Sequence, residues 1–130
     1  MLKKLFQKTI FWLKAARLYS APITLLSWLV IFVFALKQGG NILAGIISLF
    51  GISLVHLATN LIDDYIDYKD LQKENRFITA GRDCKCAYIR SGEATTKDLR
   101  NVILIFLFIA SICGGILFFC LLYTSDAADE

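Results

Sequence analysis

Residues 56–70 read HLATNLIDDYIDYKD and close a long apolar run with one asparagine and four aspartates. The run before these aspartates, residues 38–62, has no charged side chain and exceeds the roughly 20 residues that cross a bilayer as a helix. Carboxylates are costly at such a depth and turn toward a bundle interior or a watered cavity. The stretch therefore predicts a membrane helix that lines a cavity and has an acidic end.

Two further stretches, residues 18–36 and 101–119, also lack charged side chains. With 57% hydrophobic residues and a mean hydropathy of +0.61, the chain is too apolar for an ordinary soluble domain. We predict an all-α membrane protein with spans at about 18–36, 41–66 and 96–119, belonging to a larger helical bundle. Residues 18–36 show no clear small-residue cleavage site, so we expect this span to be retained in the mature protein.

The basic residues predict the orientation. Five of them precede the first span and eight lie between residues 63 and 100, whereas Lys37 stands alone in the link after the first span. The positive-inside rule then places the N-terminus and the loop of residues 68–95 in the cytoplasm. We expect the inner (plasma) membrane of a bacterium as the location, with the lipid bilayer as a partner and no nucleic acid.

The first 17 residues mix lysines with large apolar side chains and contain no acid. This pattern predicts an N-terminal basic amphipathic helix that lies on anionic lipid. Of the two roles open to it, a plain anchor for the first span is favoured over a regulatory lipid-binding function.

Local signals predict where the helices begin and end. Pro22 lies near the start of the first span, where a helix tolerates proline. Gly39 and Gly40 predict a turn between the first two spans. Residues 95–98, TTKD, match the capping pattern [ST]-x-x-[DE], so we expect the third span to begin at Thr95 or Thr96.

The polar residues of the second span share one face of a helix at about 100° per residue. The face comprises Ser53, His56, Asn60, Asp63, Asp64 and Asp67, and we expect Leu57, Leu61 and Ile62 to point elsewhere. His56 alone in a span is favoured as a hydrogen-bonded packing residue over a catalyst.

The aspartates of this face repel one another at spacings of three and four, and they stand at the negative end of their helix. A divalent cation would reverse both effects, and Mg²⁺ suits carboxylate oxygens together with substrate phosphates. The competing interpretation is a solvated helix end, with the acids balanced by Lys69 and Lys73.

The spacing of Asn60, Asp64 and Asp67 within NLIDDYID resembles the first Asp-rich motif of the UbiA superfamily of intramembrane prenyltransferases. That motif has the form N-x-x-x-D-x-x-[x]-D and lies on the second helix. The form N-L-x-N-D-Y-x-D is typical of the menaquinone-type branch, and Asp63 stands in place of its second asparagine.

Two other segments are similar to the same family. Residues 88–99, YIRSGEATTKDL, resemble the loop before the third helix, although Ser91 follows Arg90 where the family has proline. Residues 16–26, ARLYSAPITLL, resemble the start of the first helix, with Leu18 after Arg17 in place of the usual Arg-Pro pair.

The resemblance implies an Mg²⁺-dependent transfer of a polyprenyl group from polyprenyl diphosphate to an aromatic acceptor, a quinone precursor such as 1,4-dihydroxy-2-naphthoate. It implies metal ligation by Asn60, Asp63, Asp64 and Asp67. It implies catalytic roles for Asp64, Asp67 and Arg90. Arg90, Lys69 and Arg82 are the candidate cations that would stabilise the charge developing on the diphosphate.

The family also needs a second Asp-rich motif on a later helix, and this motif is not in the 130 residues. Residues 120–130, CLLYTSDAADE, resemble the translation of a widely used sequencing adapter, so we interpret them as a non-native tail that does not belong to the fold. We therefore expect residues 1–119 to be the N-terminal part of a longer prenyltransferase and to be inactive alone.

Three other classes of protein share single features with this sequence. The D-D-x-x-D of soluble prenyl diphosphate synthases matches residues 63–67, but those proteins do not span membranes. CDP-alcohol phosphotransferases need a D-G-x-x-A-R sequence that the chain lacks. A small non-enzymatic protein with three membrane helices stays open, with its acidic helix end serving cation binding or partner docking.

Overall fold

The computed structural model describes residues 2–73 and 86–128, and its regular elements are five α-helices and one short 3₁₀ turn. The helices are α1 (Leu2–Ala15), α2 (Ala21–Lys37), α3 (Ile42–Lys73), α4 (Ala87–Arg90) and α5 (Thr96–Ala128), with the 3₁₀ turn at Leu18–Ser20. The described residues contain no β-strand. The prediction of an all-α membrane protein is therefore confirmed.

Within the part of the chain that the structure describes, three segments are long and apolar enough to cross a bilayer: Leu18–Lys37, Ile42–Asp70 and Thr96–Cys120. They agree with the predicted spans within one or two residues, except at the end of the second. There the helix does not stop with the apolar residues but continues through the aspartates to Lys73. The aspartates therefore stand on an unbroken helix, in which each side chain has a defined direction.

The predicted helix signals operate as expected. Pro22 lies in the first turn of α2, where its missing N–H costs nothing. Gly39 has a φ of +83°, the left-handed conformation that closes the turn after α2. Before α5, the Thr95 hydroxyl accepts from the Asp98 backbone N–H at 3.1 Å while the Asp98 carboxylate accepts from the Thr95 N–H at 3.1 Å. This reciprocal capping box begins α5 at Thr96.

The chain divides into two compact units, and α3 and α5 each contribute to both. The first unit comprises Met1–Leu18 and Leu57–Ile105. Its core contains apolar side chains from α1, α3, α4 and α5, together with one buried carboxylate, that of Asp64. The buried apolar residues of this unit include Trp12, Ala16, Leu57, Ala58, Leu61, Ile89, Leu99 and Ile103.

The second unit comprises Tyr19–His56 and Phe106–Glu130. Within it the rings of Trp28 and Phe32 are stacked, with centroids 4.6 Å apart. The Trp28 indole donates to the Ser48 hydroxyl at 2.9 Å, which joins α2 to α3. A largely apolar cavity of about 850 Å³ lies beside these rings and is also lined by Leu117 and Phe119.

Candidate functional site

Asp64 is the only charged side chain that the described residues bury, at 2% exposure. Around α3 it lies about 20° from Leu57, seven residues earlier, because seven residues nearly complete two turns. Leu57 and Leu61 are buried on this side of the helix. The prediction that these leucines point away from the polar face is therefore wrong for Asp64, which borders the apolar core.

In the described part of the first unit, Arg17, Tyr88 and Cys86 contact Asp64. The Arg17 guanidinium forms an ion pair with Oδ1 of the carboxylate. The Tyr88 hydroxyl donates to Oδ2 at 3.0 Å. The Cys86 thiol donates to the backbone oxygen of Asp64 at 3.1 Å. Each carboxylate oxygen thus has a protein donor, as a buried charge requires.

The local backbone presents these partners to α3. Arg17 follows the end of α1 in a left-handed conformation, with a φ of +55°, and Cys86 precedes α4 with a φ of +58°. Left-handed non-glycine residues cost about 1–3 kcal/mol and persist only where their surroundings fix them. Next to Arg17, the Asn60 amide donates to the backbone oxygen of Ala16 at 2.8 Å. Two residues of the predicted motif therefore hold the end of α1.

The environment of Tyr88 keeps its hydroxyl protonated. Burial first, and then the neighbouring Asp64 carboxylate, raise the pKa of Tyr88 far above that of free tyrosine. The ring also lies edge-on to Phe11 and Trp12 of α1, with centroids 6.0 and 6.1 Å away. Tyr88 is thus a fixed hydrogen-bond donor that joins α1, α3 and the segment containing α4.

The other predicted site residues occupy different environments. Asp63 is exposed, whereas Asn60 and Asp67 are half-buried. Lys69 is exposed and stands over the Tyr65 ring, with Nζ 4.5 Å from its centroid. The remaining two candidate cations are Arg90, which is exposed at the end of α4, and Arg82, which lies outside the described residues.

The donor types of the Asp-rich stretch suit Mg²⁺, but their arrangement does not. Within residues 2–73 and 86–128, no three His, Cys, Asp or Glu side chains come close enough together to hold a metal ion. Both oxygens of Asp64 already accept from Arg17 and Tyr88. The side chains as arranged therefore do not fit the ion, and Asp64 could coordinate it only after Arg17 had left.

Arg17 and Tyr88 are the residues of the site that the sequence did not single out. In the sequence, Arg17 belongs to the basic flank of the first span and to the segment that resembles the family's first helix, and Tyr88 belongs to the family-like loop. The position of Arg17 could have indicated its role, because an arginine directly before a membrane span can pair with an aspartate in the next span. Tyr88 carried no comparable signal.

His56 belongs to the second unit and has hydroxyl partners on both ring nitrogens. Its Nε2 lies 2.8 Å from the Ser20 hydroxyl and its Nδ1 lies 3.0 Å from the Thr24 hydroxyl. Which atom donates in each of these hydrogen bonds depends on the tautomer of the ring. The hydrogen bonding predicted for His56 is therefore confirmed.

Comparison of the chain with models of known protein families, with curated proteins and with solved structures finds no match.

Proposed function

We propose that the chain forms part of a membrane prenyltransferase that takes a polyprenyl diphosphate as donor and an aromatic quinone precursor as acceptor. The observation that carries the proposal is Asn60, Asp64 and Asp67 in the N-x-x-x-D-x-x-D order on one unbroken helix, directly after an apolar span. Asp64 of this trio is buried, which distinguishes it from a residue of a solvated helix end.

The proposed chemistry divides between polar and apolar groups. The allylic C–O bond breaks, and its electron pair leaves with the diphosphate. Arg90 and Lys69 are the exposed cations that would stabilise this charge near the motif. A carbon of the electron-rich aromatic ring then bonds to the allylic carbon, and the ring loses a proton to restore its aromaticity.

An apolar environment is needed for the polyprenyl chain and for a cation that water would capture. The cavity beside Trp28 and Phe32 has the volume and the lining for an apolar chain, since ligand pockets span about 300–1,000 Å³.

Mg²⁺ enters the proposal only through the chemistry of its donors, which are one amide and three carboxylates (Asn60, Asp63, Asp64 and Asp67). No step of the reaction is assigned to it, because the arrangement of these donors does not fit the ion.

The test is donor binding, since the second Asp-rich motif is not in the chain and turnover is not expected from it. The detergent-solubilised chain is titrated with a polyprenyl thiodiphosphate, which keeps the charge of the donor but resists ionisation. With Mg²⁺ present to neutralise the carboxylates, Asp67→Asn and Arg90→Gln should each weaken binding about tenfold, roughly the 1.4 kcal/mol of one lost charged contact. Lys37→Gln, at the other end of the spans, is the matched control and should bind as the parent chain does.

Absence of saturable binding, or equal affinity in Asp67→Asn and the parent chain, would reject the proposal. It would favour the second candidate, a small non-enzymatic membrane protein in which Asp64 is structural. The internal pairing of Asp64 with Arg17 and Tyr88 is the observation in its favour. Under that candidate Asp64→Asn lowers stability but changes no ligand affinity.

A further inference from the structure

Helix α1 has two different apolar faces. One face carries Trp12 and Ala16, which are buried within the first unit. The other carries the row Leu2, Phe6 and Ile10, which are 87%, 66% and 37% exposed. Because the three residues of this row are spaced by four, they form one continuous stripe along the helix. We name Leu2, Phe6 and Ile10 the exposed row.

The charges that α1 itself places beside the exposed row are all positive. Lys14 continues the row by one further turn and Lys3 stands about 100° from Leu2 around the helix. Both lysines are exposed, and α1 contains no acidic residue. Lys8 lies elsewhere on the helix and interacts electrostatically with Asp98 of the first unit. Lys3 and Lys14 are thus the two cations placed to accompany the row.

The contacts of α1 keep this row turned outward. Trp12 and Phe11 meet the Tyr88 ring, and the ion pair of Arg17 with Asp64 fixes the residue that follows the helix. Rotation of α1 to hide the exposed row would break these contacts. The first candidate span begins at Leu18, only three residues after α1 ends, so the helix stays close to a membrane surface.

We propose that the exposed row with Lys3 and Lys14 is a binding surface for an anionic lipid leaflet, with the apolar side chains in the acyl boundary and the ammonium groups among the headgroup phosphates. A helix with one apolar stripe bordered by lysines is the form that lies in a membrane interface, its apolar side about 5–10 Å deep. Charge complementarity selects the lipid, because lysines beside the membrane plane are attracted by anionic headgroups. The inference does not depend on the proposed reaction.

The experiment places a tryptophan at one of two neighbouring positions of α1 in the full chain. Phe6→Trp lies on the exposed row, and Gln7→Trp lies about 100° further round the helix. Both positions are exposed, and the native Trp12 and Trp28 are common to both variants. Each variant is reconstituted into vesicles of phosphatidylcholine alone or with an equal part of phosphatidylglycerol. Quenching is measured with acyl-brominated lipid and with aqueous acrylamide.

In phosphatidylglycerol vesicles, we expect brominated lipid to quench Phe6→Trp at least twice as strongly as Gln7→Trp, and acrylamide to give the reverse order. Adding Lys3→Gln and Lys14→Gln to Phe6→Trp should lower its lipid quenching toward that seen in phosphatidylcholine alone. Helical circular dichroism checks that all variants are folded.

Three results would overturn the inference. Equal acrylamide quenching of the two variants would place the exposed row in water. Lipid quenching that is equal in the two kinds of vesicle would remove the anionic headgroup from the interaction. Protection of Phe6→Trp from both quenchers would show that protein, such as a second copy of the chain, covers the row.

Discussion

Arg17 and Asp64 lie 47 positions apart in the chain and form a buried ion pair between the end of α1 and the middle of α3. The two partners are buried unequally, since the Arg17 side chain keeps 26% of its exposure and Asp64 almost none. The side chain that remains after its partner is removed therefore has a different environment in the two cases. Arg17 can turn to water, whereas Asp64 cannot.

This asymmetry predicts that Arg17→Gln destabilises the protein more than Asp64→Asn does. Removing one partner of a buried pair costs about 3–5 kcal/mol when the remaining charge stays buried, which is the case for Asp64. In Asp64→Asn the guanidinium regains water, so the cost should fall well below that range. Chemical unfolding in detergent, followed by circular dichroism, measures both variants.

The double variant Arg17→Gln with Asp64→Asn tests whether Arg17 and Asp64 stabilise the protein through one shared interaction. Its loss of unfolding free energy should be smaller than the sum of the single losses by about 0.5–3 kcal/mol, the coupling usual for residues in contact. Arg100→Gln, an exposed arginine of α5, is the control and should cost about 0.5 kcal/mol or less. Strict additivity of the two single changes would contradict the ion pair.

The sequence predicted the features of the fold that depend on local patterns. The length of the apolar stretches gave the three spans, and the pattern at Thr95 and Asp98 gave the start of α5. These predictions succeed because a span needs a fixed number of apolar residues and a cap involves residues three positions apart. The end of α3 at Lys73 was missed, since hydropathy ends a span but not a helix.

The candidate site was predictable only in part. Asn60, Asp64 and Asp67 were found because their spacing is local to one helix. Arg17 and Tyr88 were not, since they meet Asp64 across 47 and 24 positions. A helical wheel gives the directions of side chains on one helix but does not show which direction the rest of the chain covers. For this reason Asp63 and Asp64, neighbours in sequence, have opposite burial.

Tyr88→Phe should destabilise the protein by about 1.5–3 kcal/mol, the contribution of a hydrogen bond to a charged group. The change removes the donor to Asp64 Oδ2 but keeps the ring that meets Phe11 and Trp12. Tyr19→Phe, at an exposed tyrosine, is the control and should leave the unfolding free energy nearly unchanged. Equal effects at the two positions would show that the Tyr88 hydrogen bond contributes nothing.

The same tyrosine predicts a pH dependence at the alkaline end. Burial and Asp64 raise the pKa of Tyr88 in the folded protein above the value of about 10 in the unfolded chain. The unfolded state therefore releases this proton first, and the contribution of Tyr88 to stability is complete below about pH 10 and declines above it. Unfolding free energies should fall more steeply above pH 10 in the parent chain than in Tyr88→Phe. Parallel curves would contradict the raised pKa.

Divalent cations should stabilise Arg17→Gln but not the parent chain. In the parent, Arg17 is already the cation of Asp64, whereas its removal leaves a buried carboxylate that a metal ion could neutralise. A ligand at a hundred times its Kd adds about 2.7 kcal/mol to stability, and each kcal/mol moves the Tm by about 2–8 °C, so Mn²⁺ as a probe should raise the Tm of Arg17→Gln by about 5–20 °C.

The variant Arg17→Gln with Asp64→Asn serves as the control for this metal effect and should lose it. A Tm of Arg17→Gln that does not respond to Mn²⁺ would show that Asp64 is not a metal ligand even without its arginine. That result would exclude Asp64 as a metal ligand without bearing on its ion pair with Arg17 in the parent chain.

Gly45→Ala should destabilise the second unit by about 1–3 kcal/mol, the usual cost of adding a methyl group where no space exists. A Cβ at buried Gly45 would overlap the ring of Phe32, which is stacked on Trp28.

Gly114→Ala, on helix α5, is the matched control, because a Cβ there meets nothing within 4 Å. It should stabilise the helix by about 0.5–1 kcal/mol, since alanine loses less backbone entropy than glycine. Thermal unfolding followed by tryptophan fluorescence should therefore move in opposite directions for the two variants. A shift of the same sign in both would mean that α3 does not approach Phe32 as closely as the structure places it.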